Sequence, residues 1–252
     1  MHLILTGATG LVGSSVLDAM LKSTAVSKIS ILSRGPVRMA EDVKDPRVHV
    51  IIHKDFETYE PRLLGQLKDA DGCVWALGTS QNNVTKEQYV KITKDYTMAA
   101  ANAFSTIRPS GHPFRFIHVS GEGATQDPGR FSALFARVKG ETEALLGTLS
   151  EQNPNIRIDS VRPAFVDPAT HDAIKPYIPA RSGISEKLVT GVLGPPIRAF
   201  VGSMHSPTEH LGSFLTNMAM GRYEAQLKGL GTFQLGGGYV VSNVGMRRIL
   251  GI

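Results

Sequence analysis

The stretch His2-Leu3-Ile4-Leu5-Thr6-Gly7-Ala8-Thr9-Gly10-Leu11-Val12-Gly13 decides the fold. An apolar strand runs straight into a turn with three glycines. Gly7 lets the chain leave the strand sharply. Gly10 carries no side chain, so the backbone can come close to a diphosphate. Gly13 lets the following helix pack tightly on the sheet. The helix begins near Gly10–Leu11 and continues through Val16, Leu17, Met20 and Leu21. Its N-terminal N–H groups and positive dipole end would face the phosphates. Strand, turn and helix in this order predict a dinucleotide-binding unit; a bare strand–helix turn with no ligand is the alternative.

Working outward, strands alternate with helices. Lys28–Ser33, Val48–Ile52, Gly72–Leu77, Phe114–Val119 and Ile156–Val161 read as further strands. Leu11–Lys22, Pro61–Lys68, Lys86–Phe104 and Phe131–Leu149 carry helical periodicity. This alternation predicts an α/β fold: a Rossmann-like, doubly wound parallel sheet with the ligand at the carboxyl edge of its strands. After Pro163 the rhythm changes, with prolines at 168, 176, 179, 195 and 196. Two helices are expected there, one over about Ile184–Val201 and one opening at Ser206-Pro207-Thr208-Glu209, which reads as a capping box. A glycine-rich hairpin or loop (Gly229–Gly238) leads to Tyr239–Val241 and a last helix capped by Ser242. Residues 1–165 are thus expected to form the Rossmann-like domain. Residues 166–252 are expected to form a small helical substrate region integrated on it.

The 252 residues, 42% of them apolar, suffice for one large core. The 27 basic and 22 acidic residues are scattered, so the +5 balance fits an anionic cofactor and forms no nucleic-acid arm. The single Cys73 lies in an apolar run and reads as core filler. No stretch approaches the ~20 apolar residues that span a bilayer. The first strand starts at once, leaving no room for a targeting peptide, and a cytoplasmic, reducing compartment is the expectation. No metal-ligand spacing and no Gly-x-Ser-x-Gly elbow exist. The expected partner is a small-molecule substrate, with no nucleic acid and no membrane. Phe214–Met220 reads as core or as a partner interface, which leaves a homodimer or a partner protein open.

The strand ends carry the candidate chemistry. The second ends in Ser33-Arg34, where NAD binders place an acid for the ribose 2′-OH. A guanidinium there can fork onto a 2′-phosphate, so NADP(H) is favoured over NAD, with Arg38 nearby; an ordinary exposed loop arginine is the alternative. The third ends in His53-Lys54-Asp55-Phe56, where Asp55 can accept from an adenine amine or simply cap a turn. The fourth ends in the small-residue run Ala76-Leu77-Gly78-Thr79, which lets backbone pass close to ribose and nicotinamide.

These residues, with Val119-Ser120-Gly121, Lys139-Gly140-Glu141 and Arg162-Pro163, resemble the short-chain dehydrogenase/reductase superfamily in its atypical, epimerase-like subset. The resemblance spans roughly residues 2–166. It implies cofactor contacts from Gly7, Thr9, Gly10, Leu11, Val12, Gly13, Ser33, Arg34, Asp55, Phe56, Ala76, Leu77, Gly78, Thr79, Lys139 and Pro163. It also implies catalysis by Ser120, polarising the substrate oxygen, and by a Tyr-x-x-x-Lys pair on the next helix. Lys139 is present, yet Phe135 stands four residues before it, and none of the six tyrosines precedes a lysine at this spacing. Phenylalanine cannot move a proton.

Other donors are therefore considered. His118 shares a sheet face with Ser120 but reads first as a core histidine. His171, His205 and Tyr177 qualify by location, and Glu122 as a loop carboxylate whose plainer role is turn solvation. Ser120 as a strand-end cap and Lys139 as a solvated lysine are the plain alternatives. The leading expectation is an NADPH-dependent oxidoreductase acting on a carbonyl or imine. A noncatalytic NADP(H)-binding regulatory protein and a non-redox isomerase or cyclase are the rivals.

Overall fold

The computed structural model describes residues 1–108, 112–178 and 202–252. The expected helix over Ile184–Val201, with Pro179, Pro195 and Pro196, lies outside the described residues.

Strands β1 (His2–Thr6), β2 (Lys28–Ser33), β3 (Val48–Ile52), β4 (Gly72–Trp75), β5 (Phe114–Val119) and β6 (Ile156–Arg162) alternate with helices α1 (Leu11–Lys22), α2 (Arg38–Val43), α3 (Pro61–Leu67), α4 (Lys86–Val90), α5 (Tyr96–Phe104) and α6 (Leu134–Gln152). Beyond Pro163 come the short strands β7 (Phe165–Asp167) and β8 (His205–Pro207), then α7 (Thr208–Ala219), β9 (Thr232–Leu235), β10 (Gly238–Ser242) and α8 (Asn243–Leu250). The large sheet runs β3-β2-β1-β4-β5-β6-β10-β9, parallel except for the β9–β10 hairpin. This is the doubly wound α/β sheet expected from the alternation.

The sheet is buried on both faces, so its strands read as unbroken apolar runs. In β1, Leu3 and Leu5 enter the layer beneath α1 and α7, while Ile4 enters the opposite layer. The second layer is aromatic: Trp75 stacks on Phe116 with ring centroids 5.8 Å apart. The indole N–H of Trp75 donates to Thr97 Oγ1 at 2.8 Å, so this buried ring leaves no polar atom unpaired. Cys73 is fully buried in the same layer, and burial pushes its thiol pKa up, as befits core filler.

Several boundaries differ from expectation. β4 ends at Trp75, so Ala76–Gly78 form the exit loop and not sheet. α6 starts at Leu134 and runs to Gln152. Lys86–Phe104 is helical throughout but contains a π-helical turn over Lys91–Asp95. The box expected at Ser206 is absent: α7 begins after Pro207 without a side-chain cap. Ser206 is spent elsewhere, its Oγ donating to Asn243 Oδ1 at 2.6 Å and accepting from the Ala164 N–H at 3.0 Å. These bonds tie the β7–β8 pair to α8. Ser242 does cap α8, accepting from the Gly245 N–H. Phe214, Leu215 and Met218 are buried, which assigns the apolar face of α7 to the core and not to a partner.

Candidate functional site

The glycine turn is built as its spacing requires. Gly7 has φ +70°, and a Cβ there would lie 2.3 Å from the Ala76 carbonyl oxygen. A Cβ on Gly13 would lie 1.9 Å from Gly7 O, so α1 rests directly on the turn. Gly10 differs. Its N–H donates to Gly7 O at 2.9 Å, and a Cβ on it would meet only that oxygen, at 3.3 Å. Its open side lines a cavity. The first turn of α1 holds no acid, so nothing opposes an anion at its positive end.

Two cavities meet along this edge and share Leu77. The smaller, about 470 Å³, is lined by Gly7, Thr9, Ser33, Arg34, Phe56 and Leu77, with Leu32, Gly35 and Pro36. Arg34 is exposed and, among the described residues, closes no ion pair. Arg38 is already engaged, facing Asp42 at 3.8 Å. Asp55 closes a local turn. Its carboxylate accepts from the Glu57 N–H and from Thr58 Oγ1, both at 2.9 Å, which holds its pKa below the usual range. Phe56, not Asp55, faces the cavity.

The larger cavity, about 1070 Å³, collects Gly10, Leu11, Val12, Ala76, Leu77, Gly78, Thr79, Ser120, Lys139 and Pro163. Ser120 is 3% exposed, and its hydroxyl is buried without a hydrogen-bond partner among the described residues. An orphaned buried hydroxyl is costly unless a ligand completes it. It is not a strand-end cap; the Ser120 backbone N–H instead continues the ladder to Val161 O at 2.8 Å. Lys139 Nζ donates to the Ser120 carbonyl at 2.7 Å. Burial lowers the Lys139 pKa to about 8, and Glu143 one turn further along α6 partly offsets this. Lys139 is thus tied to the Ser120 loop and is not a solvated helix lysine. Glu143 is itself buried and paired with Arg162, whose Nε donates to it at 2.9 Å.

Phe135 does not enter the cavity. The tip of its ring lies against Gly123, 3.4 Å from where a Cβ on that glycine would sit. Glu122 does line the cavity, half-buried, and desolvation raises its pKa above the ordinary carboxyl range.

The remaining candidates separate. His118 touches the cavity wall but is a buried core histidine with Nδ1 3.2 Å from Ser160 Oγ; burial lowers its pKa to about 3. His171 bridges α1 and α7 through Asp18 at 2.9 Å and Thr208 at 3.0 Å. His205 pairs with Asp167 at 2.9 Å. The guanidinium of Arg38 lies 6.0 Å from the Tyr177 ring. None of these three lines either cavity. Sequence reasoning missed Thr93, brought to the cavity by the π turn, and the apolar wall of Phe165, Val166, Ile178 and Met204. A π turn leaves no mark in apolar periodicity. Asn82 and Asn83 could have been suspected from their place just past Thr79.

The sheet order and glycine turn are those of a Rossmann-like, doubly wound α/β fold, with two cavities at its carboxyl edge. No protein-family model matches the chain. It is 41% identical over 156 residues to botcinic acid biosynthesis cluster B protein 16 of Botryotinia fuckeliana, covering 62% of this chain and 98% of that one. It is 34% identical over 241 residues to leucinostatins biosynthesis cluster protein T of Purpureocillium lilacinum, covering 87% and 85%. The chain belongs to the family of these two fungal biosynthesis-cluster proteins. Among solved structures it is similar to the PhqB reductase domain of Penicillium fellutanum (TM-score 0.63, 16% identity), covering 87% of this chain but only 64% of that one. It is also similar to a short-chain dehydrogenase/reductase-family oxidoreductase of Burkholderia thailandensis (TM-score 0.66, 14% identity), covering 97% and 92%.

Proposed function

We infer that the chain is an NADPH-dependent oxidoreductase that reduces a carbonyl or imine carbon of a small molecule. The observation that carries this reading is the pair of cavities that share Leu77, one lined by Arg34 and the other by Ser120 and Lys139. The residues fit a dinucleotide. Gly10 leaves open the space a side chain would take, α1 offers its N-terminus, and Arg34 closes no ion pair among the described residues. Gly7, Thr9, Ser33, Arg34 and Phe56 would hold the adenosine half; Leu11, Val12, Ala76–Thr79, Lys139 and Pro163 would hold the rest. Bound there, the reduced nicotinamide supplies a hydride.

Ser120 would donate a hydrogen bond from its unpaired hydroxyl to a substrate oxygen. The Lys139 ammonium is placed to hold ribose hydroxyls and to stabilise negative charge beside Ser120. The apolar wall of Phe165, Val166 and Ile178 fits a substrate with an apolar body. That both relatives are named for biosynthesis clusters supports a biosynthetic intermediate as the substrate. No described helix is long and apolar enough to cross a membrane; a cytoplasmic site of action is part of the proposal.

Single-turnover NADPH oxidation with an activated aldehyde, such as 4-nitrobenzaldehyde, tests the reading. Ser120→Ala should slow it about a hundredfold, the usual cost of one oxyanion donor, while leaving NADPH affinity intact. A second reading, a noncatalytic NADP(H)-binding regulator, is favoured by Phe135 standing where a proton donor is expected. NADPH binding with no oxidation by any carbonyl would select it.

A further inference from the structure

We propose that Glu122 is the proton donor of this site, taking over the task that the residue at position 135 cannot perform. The proposal rests on the oxidoreductase reading above and adds the acid that it lacks.

The loop Ser120-Gly121-Glu122-Gly123-Ala124 brings one ionisable residue, Glu122, to the cavity that Ser120 also lines. The glycines flanking Glu122 carry nothing that could compete for the space. The backbone of Glu122 is fixed, its N–H donating to Pro163 O at 2.9 Å, as the Ser120 N–H donates to Val161 O at 2.8 Å. Both residues are therefore registered to the extended end of β6, and both side chains line the larger cavity. A glutamate that merely solvated a turn would be exposed; this one is half-buried, lines the cavity and accepts a hydrogen bond from the Asn243 N–H.

Burial favours a proton on Glu122, against neighbours that on balance favour its carboxylate. Arg162 of β6 attracts the carboxylate, but its guanidinium is already forked onto Glu143 of α6. Glu143 repels a second carboxylate, and the Asn243 N–H at the start of α8 offers one hydrogen bond. Lys139 of α6 shares the cavity, but its ammonium donates to Ser120 O. No cation closes an ion pair with Glu122 among the described residues. Desolvation outweighs the attractive contributions, and the acid form is held to higher pH than in water.

The step balances with a reduced nicotinamide dinucleotide as the reductant. The carbonyl π bond breaks as its carbon takes the hydride and its oxygen takes the Glu122 proton, under the hydrogen bond from Ser120. An alcohol, the oxidised dinucleotide and the Glu122 carboxylate remain, and water returns the proton to Glu122.

The test compares wild type, Glu122→Gln and Glu122→Asp in three measurements. The first is NADPH affinity by quenching of protein fluorescence. The second is the pH profile of single-turnover NADPH oxidation with 4-nitrobenzaldehyde. The third is the titration of the glutamate carboxyl by carbon-13 NMR of the free protein, with Glu122 assigned by its loss in Glu122→Gln. The expected result is unchanged NADPH affinity with oxidation slowed about a hundredfold or more in Glu122→Gln, and partial retention in Glu122→Asp. The wild-type rate should fall as pH rises through the Glu122 carboxyl titration, and this limb should vanish in Glu122→Gln. The Glu122 resonance should titrate above the ordinary value of about 4.3.

Oxidation in Glu122→Gln at the wild-type rate overturns the role of Glu122 and leaves the oxidoreductase reading standing. A Glu122 resonance that titrates at or below the ordinary value overturns it too, whatever the activity. Wild type that binds NADPH yet oxidises none overturns the oxidoreductase reading itself, and this role with it.

Discussion

The two ends of the cavity are made of different material. At the glycine turn the lining is backbone: Gly7 and Gly13 lie against carbonyls 2.3 and 1.9 Å from where a Cβ would stand, and Gly10 has its open side toward the larger cavity. At the other end the lining includes residues of a loop and a helix face: Ser120, Glu122 and Lys139. A backbone device tolerates few substitutions, because a Cβ on Gly7 or Gly13 collides with backbone. A side-chain device can lose a member, as Phe135 shows, while helix and loop stay in place. On the proposed function, the cofactor end keeps the glycines its turn requires, and the chemical end would draw its proton from Glu122 in place of a donor at position 135.

The sharpest way to break this contrast lies within the turn itself. Gly13→Val should cost about 3 kcal/mol or more, since overpacking against backbone cannot be relieved by a rotamer change. Gly10→Val should stay folded, because φ at Gly10 is −92°, open to any residue. Chemical denaturation of both proteins checks the pair; equal loss at the two positions would refute the division of roles.

A smaller effect is expected at the rim. Arg34→Ala should weaken NADPH binding roughly ten- to a hundredfold, the worth of one charge-assisted contact, and leave NADH unchanged. Equal affinities of the wild type for the two dinucleotides would remove the argument for a 2′-phosphate site.

His118 gives a measure of how dry the chemical end is. Its pKa falls from an ordinary 6.5 to about 3 on burial. Between these values the unfolded chain binds the proton and the folded one does not. The stability due to a neutral His118 is thus complete above pH 6.5 and drains away as pH falls toward 3. The slope is about 1.4 kcal/mol per pH unit. His118→Gln should remove that share of the acid destabilisation between pH 6 and 4.5, measured by urea denaturation. An unchanged slope would mean that the site is wetter than described.

The smallest effect is expected of Phe135→Tyr. A hydroxyl on this ring tip would meet Gly123, not the cavity, so the gain in NADPH oxidation should fall far short of the hundredfold that a positioned acid is worth. A large gain would show that the ring swings into the site.

What could be read from the chain follows the same division. Sheet, glycine turn and cavity edge were legible because apolar runs and glycines act through the backbone at short range. Arg34, Ser120 and Lys139 were legible as candidates from their places at strand ends and helix spacing. The two roles of Asp55 could not be separated, because a turn and a ligand ask for the same carboxylate; Glu57 and Thr58 answer it locally. The box at Ser206 misled for a tertiary reason, since Asn243, 37 residues on, claims its hydroxyl. The standing of Glu122 depends on Arg162 being taken by Glu143, a three-element arrangement that no local pattern records.

The most direct test of the central claim is a titration of NADPH into wild type and into Gly10→Val, with circular dichroism confirming that both are folded. The account predicts saturable binding by wild type and its loss in Gly10→Val, whose side chain fills the space left for the diphosphate. Gly10→Val that is folded and binds NADPH as tightly as wild type would contradict it.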